Sequence, residues 1–94
     1  MLEWSVLRVE LLGPLRAVVG KRYVEMELKE PIRLRDVFMM FGEEVRRMIM
    51  DEAGRPQPGL LILVNGVDVR YLTWLDTVVD EDDVVTVIPS IHGG

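Results

Sequence analysis

The last two residues, Gly93-Gly94, are the part of this 94-residue sequence best suited to chemistry. A terminal carboxyl has a pKa of about 3.3–3.7, so the group is ionised at neutral pH. In that form it is a poor electrophile, but it can attack a phosphate and be activated by ATP as an acyl-adenylate. Because glycine has no Cβ, the pair can thread a narrow channel into a partner's active site. The sequence therefore predicts a carboxylate that a partner activates, with ATP held by that partner and no cofactor bound by this chain.

Residues for other kinds of catalysis are scarce. The chain has no Cys and one His, which argues against thiolate zinc sites, cysteine nucleophiles and metal sites built from histidines. The acidic run at residues 80–83 is more typical of a solvated turn than of an acid/base pair, and it lacks the ligand spacing of a calcium loop. We therefore expect a protein that is not an enzyme by itself and has no metal site.

Composition indicates one small folded domain with an acidic surface. Hydrophobic residues make up 49% of the chain and charged residues 29%, and the formal net charge is −5. Such a surface repels phosphates and anionic membranes, so we expect no direct nucleic-acid or membrane partner. No signal-peptide pattern is visible, and the expected location is the cytoplasm.

The elements that must position the tail can be inferred from hydrophobic periodicity. Alternation at Leu7–Leu11 and again at residues 24–28 predicts a strand hairpin whose long connection runs from Gly13 to Gly20. Residues 34–49 then follow a helical period. Gly42 interrupts it, so the segment is either one main helix or two short helices broken there.

The second half of the chain predicts a central strand, an excursion and a last strand. The apolar run at residues 60–64 is typical of a strand buried on both sides, and Asn65-Gly66 is a strong turn signal. We expect Trp74 and Leu75 to pin the excursion to the core. The predicted fold is an α+β roll of the β-grasp kind, with a mixed four- to five-stranded sheet and one main helix on one face. Residues 1–90 would form the domain and residues 91–94 a flexible tail.

Three segments together have a recognisable pattern: Leu60-Leu61-Ile62-Leu63-Val64-Asn65-Gly66, the acidic turn before Val84-Val85-Thr86-Val87-Ile88-Pro89, and Gly93-Gly94. This pattern resembles the ubiquitin-like β-grasp sulfur carriers. That superfamily includes the molybdopterin synthase small subunit, the thiamine-pathway sulfur carrier and the ubiquitin-related modifiers. The ending Ile91-His92-Gly93-Gly94 resembles the Leu-His-Gly-Gly ending of the modifiers, and Ile88-Pro89 resembles the molybdopterin-type ending.

The resemblance implies that Gly94 is adenylated by an E1-like enzyme and then thiocarboxylated by a sulfur donor protein. The partner would recognise Ile91, His92 and Gly93 as the tail enters its active site. The sulfur would go to tRNA thiolation or to molybdopterin synthesis, and Gly94 could also be joined to lysines of target proteins. One alternative is the small subunit of molybdopterin synthase, with its tail in the large subunit's active site. Another is a β-grasp interaction module without sulfur chemistry.

A docking surface for these partners is predicted from strand alternation. If the apolar positions of the first and last strands face the core, then Leu12 and Ile88 point outward on neighbouring strands. Exposed apolar residues close to a functional tail are typical of a partner-binding patch. Val67 or Val69 would extend this patch.

Overall fold

The computed structural model describes residues 5–89 as a mixed sheet with short helices packed on one face. Two 3-10 turns, Val69–Tyr71 and Trp74–Asp76, lie in the second half of the chain. The elements in chain order are β1 (Leu7–Leu11), α1 (Pro14–Val19), β2 (Tyr23–Met26), β3 (Ile32–Arg33), α2 (Leu34–Met39), α3 (Glu43–Ile49), β4 (Leu61–Val64), β5 (Val67–Asp68), β6 (Val78–Val79) and β7 (Val84–Ile88).

The main sheet has five strands in the order β2-β1-β7-β4-β5. The first and last long strands, β1 and β7, run parallel at its centre, and the other neighbouring pairs are antiparallel. Inward side chains of β1 and β7 are fully buried, which confirms the alternation predicted for both strands. Strands β3 and β6 form a separate two-stranded ladder. This arrangement is the predicted β-grasp roll.

The hairpin between β4 and β5 is built as its Asn-Gly pair predicts. Asn65 and Gly66 have φ angles of 50° and 83°, the left-handed values that a two-residue turn of this kind requires. The Asn65 side chain also ties the turn to the start of β7. Its Oδ1 accepts from the Val84 amide at 2.8 Å, and its Nδ2 donates to Asp83 at 2.9 Å.

Of the two alternatives for residues 34–49, the structure shows two short helices, α2 and α3, with Gly42 at the break between them. This glycine is the N-cap of α3 and has extended backbone angles (φ −61°, ψ 159°), so the chain changes direction there. Both helices bury their apolar stripe against the sheet, with Val37, Phe38 and Ile49 fully buried. The connection between β1 and β2 also contains a helix, α1, which begins at Pro14 and anchors itself through the buried Leu15.

Strand β4 differs from its prediction as a strand buried on both sides. Ile62 and Val64 are buried beneath the helices, whereas Leu61 and Leu63 alternate to the opposite face and remain partly exposed. Within residues 5–89 all three α-helices pack on the inner face, so the outer face of the sheet has no second layer. The apolar run therefore places two leucines on that outer face.

The excursion between β5 and β6 is pinned to the core by only one of the two residues expected to do so. Leu75 is buried, with 1% of its surface exposed, whereas Trp74 is 49% exposed, and the prediction for Trp74 is wrong. Trp74 is the first residue of the second 3-10 turn and has a positive φ of 53°, which is uncommon for a bulky residue.

Candidate functional site

The predicted reactive tail, Ile91, His92, Gly93 and Gly94, lies outside the residues that the structure describes. The last described residue is Pro89, directly after β7. The described part of the site consists of the elements that hold Pro89 and the sheet surface beside it.

Pro89 lies against the turn that leaves β1. The parallel ladder between β1 and β7 continues one residue beyond β1, where the Leu12 amide donates to the Val87 carbonyl at 3.2 Å. The next residue, Gly13, has φ 57° and ψ −135°, a combination open essentially to glycine alone. A Cβ built on Gly13 would lie 3.5 Å from Cγ of Pro89. These contacts hold Pro89, the last described residue, beside the end of β1.

We expect Gly13→Ala to lower the free energy of unfolding by about 1–3 kcal/mol, because alanine cannot adopt this backbone conformation without strain. The Cβ itself has room beside Pro89, so the backbone angle and not a clash causes the loss. Urea unfolding measures the change. Gly42→Ala is the matched control, since Gly42 has a negative φ and open space around it. A Gly13→Ala protein as stable as the control would contradict this role.

The outer face of the sheet carries an apolar cluster next to Pro89. Ile88 pairs with Leu61, and Thr86 pairs with Leu63 across the antiparallel β4–β7 ladder. The register of the parallel β1–β7 ladder sets Leu11 opposite Val87, so Leu12, the next residue, lies beside Ile88. Residues directly opposite each other in a ladder share a face. We call this cluster, each member of which is half-buried, the outer-face patch: Leu12, Leu61, Leu63 and Ile88.

The structure therefore brings together the predicted pair Leu12 and Ile88, and it adds two residues that the sequence reasoning missed. Leu61 and Leu63 belong to an apolar run that was assigned wholly to the core. A signal for them was available, because every second residue of a strand must face the sheet's other side. An outer layer would have been needed to bury them.

The two other predicted patch residues lie elsewhere. Val69 is a core residue with 2% exposure, because the β4–β5 register sets Val67 opposite the buried Val64 and so directs the next alternate residue to the helix side as well. Val67 is 44% exposed, but it pairs with the buried Val64 and so lies on the helix-side face at the edge of the sheet. The prediction that either residue extends the outer-face patch is wrong.

A polar row borders the outer-face patch. Glu10 accepts from Nε of Arg22 at 2.7 Å and from Oγ1 of Thr86 at 3.2 Å. The Arg22 guanidinium also lies 5.4 Å from the centre of the Tyr23 ring. Burial acts to raise the pKa of Glu10, but the hydrogen bond and charge of Arg22, with the Thr86 hydroxyl, outweigh it and hold that pKa below its usual value.

This lowered pKa predicts an acid-dependent contribution to stability. A carboxyl with a depressed folded-state pKa stabilises the fold at pH values above its unfolded pKa, and the contribution is lost as the pH falls through the folded value. We expect Glu10→Gln to be less stable than the wild type at pH 7, with the difference closing below about pH 4.5. Urea unfolding across this range measures it, and Arg22→Gln should reproduce the pattern. A difference that stays constant with pH would contradict it.

Within residues 5–89, no group of three or more His, Cys, Asp or Glu side chains is placed to hold a metal ion. In the same part of the chain, no helix has the length and apolar character needed to span a bilayer.

Known proteins share both sequence and fold with this chain. The chain is 28% identical to small archaeal modifier protein 3 of Haloferax volcanii, a match that covers 94% of this chain and 98% of the relative. It is 27% identical to ubiquitin-related modifier 1 of Saccharomyces cerevisiae, covering 94% and 97%. The solution structure of Urm1 from Trypanosoma brucei superposes with a TM-score of 0.81 over the whole of both chains at 22% identity, which supports the fold.

A model of the ThiS family matches residues 9–94, which include the last three residues of β1, the other four strands of the main sheet and the Gly93-Gly94 ending. The relatives named above carry ubiquitin-like modifier names, and the shared fold is the β-grasp. This chain belongs to the ThiS family of ubiquitin-like β-grasp proteins.

Proposed function

We propose that this chain is a ubiquitin-like sulfur carrier whose Gly94 carboxylate is adenylated by an E1-like partner and then converted to a thiocarboxylate. The observation that carries the proposal is the extent of the family match, which runs through Gly94 and so includes the Gly-Gly ending. Relatives of this family are carriers and modifiers, in keeping with a chain that supplies a reactive terminus and leaves catalysis to a partner.

The chemistry needs only one group from this chain. A Gly94 carboxylate oxygen attacks the α-phosphorus of ATP held by the partner, pyrophosphate leaves, and an acyl-adenylate forms. A persulfide of the sulfur donor attacks the acyl carbon and displaces AMP. A thiol of the donor then cleaves the resulting acyl disulfide, which leaves the thiocarboxylate and a donor disulfide. Because the chain has no cysteine, both sulfur nucleophiles belong to partners.

Docking to the E1-like partner is proposed for the outer-face patch. The patch adjoins Pro89, so a partner that covers it lies next to the point where the tail begins. Its half-buried aliphatic side chains offer apolar area, and the polar row of Glu10, Arg22 and Thr86 supplies directional contacts at its rim. Interfaces of this kind combine an apolar centre with a polar edge.

We propose that the partner's channel recognises Ile91, His92 and Gly93. Gly93 adds no side chain, so it leaves room for the reacting carboxylate in a narrow channel. The thiocarboxylate would serve tRNA thiolation or molybdopterin synthesis, which would make a tRNA thiolation enzyme or the molybdopterin synthase large subunit the acceptor. The modifier names of the relatives support a further use, the joining of Gly94 to lysines of target proteins.

ATP–pyrophosphate exchange with an E1-like enzyme from the source genome tests the adenylation step. We expect exchange that depends on this chain and saturates with its concentration. If an enzyme that is active on another carrier gives no exchange with this chain, the proposal is contradicted and the interaction-module alternative is favoured. Removing the chain from cells distinguishes the two pathways that could receive the sulfur. Loss of thiolated tRNA would identify tRNA thiolation, and loss of molybdenum cofactor would identify molybdopterin synthesis.

A further inference from the structure

A second apolar surface lies between the β5 edge of the sheet and α2, away from the outer-face patch. It is formed by four side chains within residues 71–78, and the second 3-10 turn of this segment packs on α2. Their exposed fractions are 83% for Tyr71, 40% for Leu72, 49% for Trp74 and 60% for Val78. We call these four residues the 71–78 patch. Clustered exposed apolar residues mark interaction sites far more often than single ones do.

The backbone that presents this patch is well tied down. The Leu72 amide donates to the Val69 carbonyl at 2.9 Å, and the Thr77 amide donates to the Trp74 carbonyl at 3.2 Å. The side chain of the buried Thr77 accepts from the Thr73 amide at 3.1 Å. The patch is therefore held ready on an ordered backbone, which reduces the entropy lost when a partner binds.

Trp74 is the most informative member of the patch. Its φ of +53° is unfavourable for a bulky side chain, and a position of this kind suits glycine far better. Half of the Trp74 surface remains exposed, so packing within the domain offsets little of this strain. Strain kept at an exposed aromatic residue points to a role for its side chain in binding.

The charges around the patch indicate what binds there. Although the whole chain carries −5, the patch segment and the elements beside it are balanced. Two ion pairs lie at the rim, Arg70–Asp68 at 2.7 Å and Arg35–Asp76 at 3.0 Å. Two acidic copies of this chain repel each other least through such a surface. The charged residues on β3, on α2 and within residues 67–78 are three arginines and three aspartates: Arg33, Arg35, Arg70, Asp36, Asp68 and Asp76.

We propose that the 71–78 patch is a self-association surface that binds the same patch of a second copy across a two-fold axis. Such an interface is self-complementary, because each rim ion pair presents both signs to its symmetry mate. Four side chains and their rim bury less than the roughly 1,200 Å² of a standard interface, so the dimer is weak and dissociates on dilution. No residue of the outer-face patch takes part, which leaves that surface open in both copies.

Sedimentation velocity of the full chain from about 10 µM to about 1 mM tests the proposal, a range that spans weak dimer dissociation. We expect the average mass to rise toward twice that of the monomer. Trp74→Gly, which suits the positive φ, and Tyr71→Ser should each raise the dissociation constant by about 10-fold or more. Tyr23→Ser is the matched control, since Tyr23 is 45% exposed at the opposite, β2 edge of the sheet.

Three results would overturn the proposal. The first is a wild-type chain that stays monomeric throughout the concentration range, which would mean that the 71–78 patch binds a different partner. The second is a Tyr23→Ser chain that loses association as much as the two patch variants do. The third is association that persists unchanged in both Trp74→Gly and Tyr71→Ser.

Discussion

A chain that ends at His92, without Gly93-Gly94, should be activated by its E1-like partner on the order of 100-fold more slowly than the full chain. The reacting carboxylate would then sit two residues short of its position and beside an imidazole. Misplacement of a reacting group by even about 1 Å can cost about 100-fold in rate. Pyrophosphate exchange measures the loss. We expect an unchanged urea midpoint, because the deletion leaves the buried core of residues 5–89 intact.

Two substitutions separate the length of the tail from its chemistry. Gly94→Ala keeps a terminal carboxylate at the same position and adds one methyl group, while Gly93→Ala adds the methyl one residue earlier. If a narrow channel admits the tail, both should slow activation although the carboxylate is present. Activation of the truncated chain at the full-length rate would contradict the role given to Gly94. Normal activation of both alanine variants would contradict the narrow channel but not the role of the Gly94 carboxylate.

Ile88→Asp should weaken binding to the E1-like partner by about 10- to 100-fold, the effect of losing a central interface residue. Ile88 lies in the outer-face patch between Leu12 and Leu61, so the new carboxylate would have to be desolvated against apolar side chains when the partner docks. Titration calorimetry or the concentration dependence of pyrophosphate exchange measures the affinity.

Val67→Asp is the control for that experiment. It makes the same change of charge at a partly exposed valine, but on the helix-side face of the sheet. We expect it to bind with nearly wild-type affinity. Equal weakening by Val67→Asp and Ile88→Asp would mean that added negative charge, and not the outer-face patch, governs the encounter. Undiminished binding of Ile88→Asp would exclude the patch as the docking surface.

Much of the sheet follows from local signals in the sequence. The alternation in β1 and β7 and the Asn65-Gly66 turn each arise from short-range constraints, namely side-chain period and backbone angle. The outward placement of Leu12 and Ile88 follows from the same alternation. These predictions needed no knowledge of which elements pack together.

The burial of the residues that were predicted wrongly depends on tertiary packing instead. Whether Leu61 and Leu63 are buried depends on a layer that could cover the outer face, and no local pattern reveals it. Val69 lies in the core because the β4–β5 register sets Val67 opposite the buried Val64, and that register is not visible in the local pattern. Trp74 is exposed and has a positive φ, which nothing in its neighbours' residue types indicates.

The most direct test of the sulfur-carrier account is the intact mass of the full chain after incubation with an E1-like enzyme, ATP and a persulfide donor. The account predicts an increase of about 16 Da, as one oxygen is exchanged for one sulfur, located by fragmentation at Gly94. The increase should require both ATP and the donor. An unchanged mass with an enzyme shown to be active on another carrier would contradict the account.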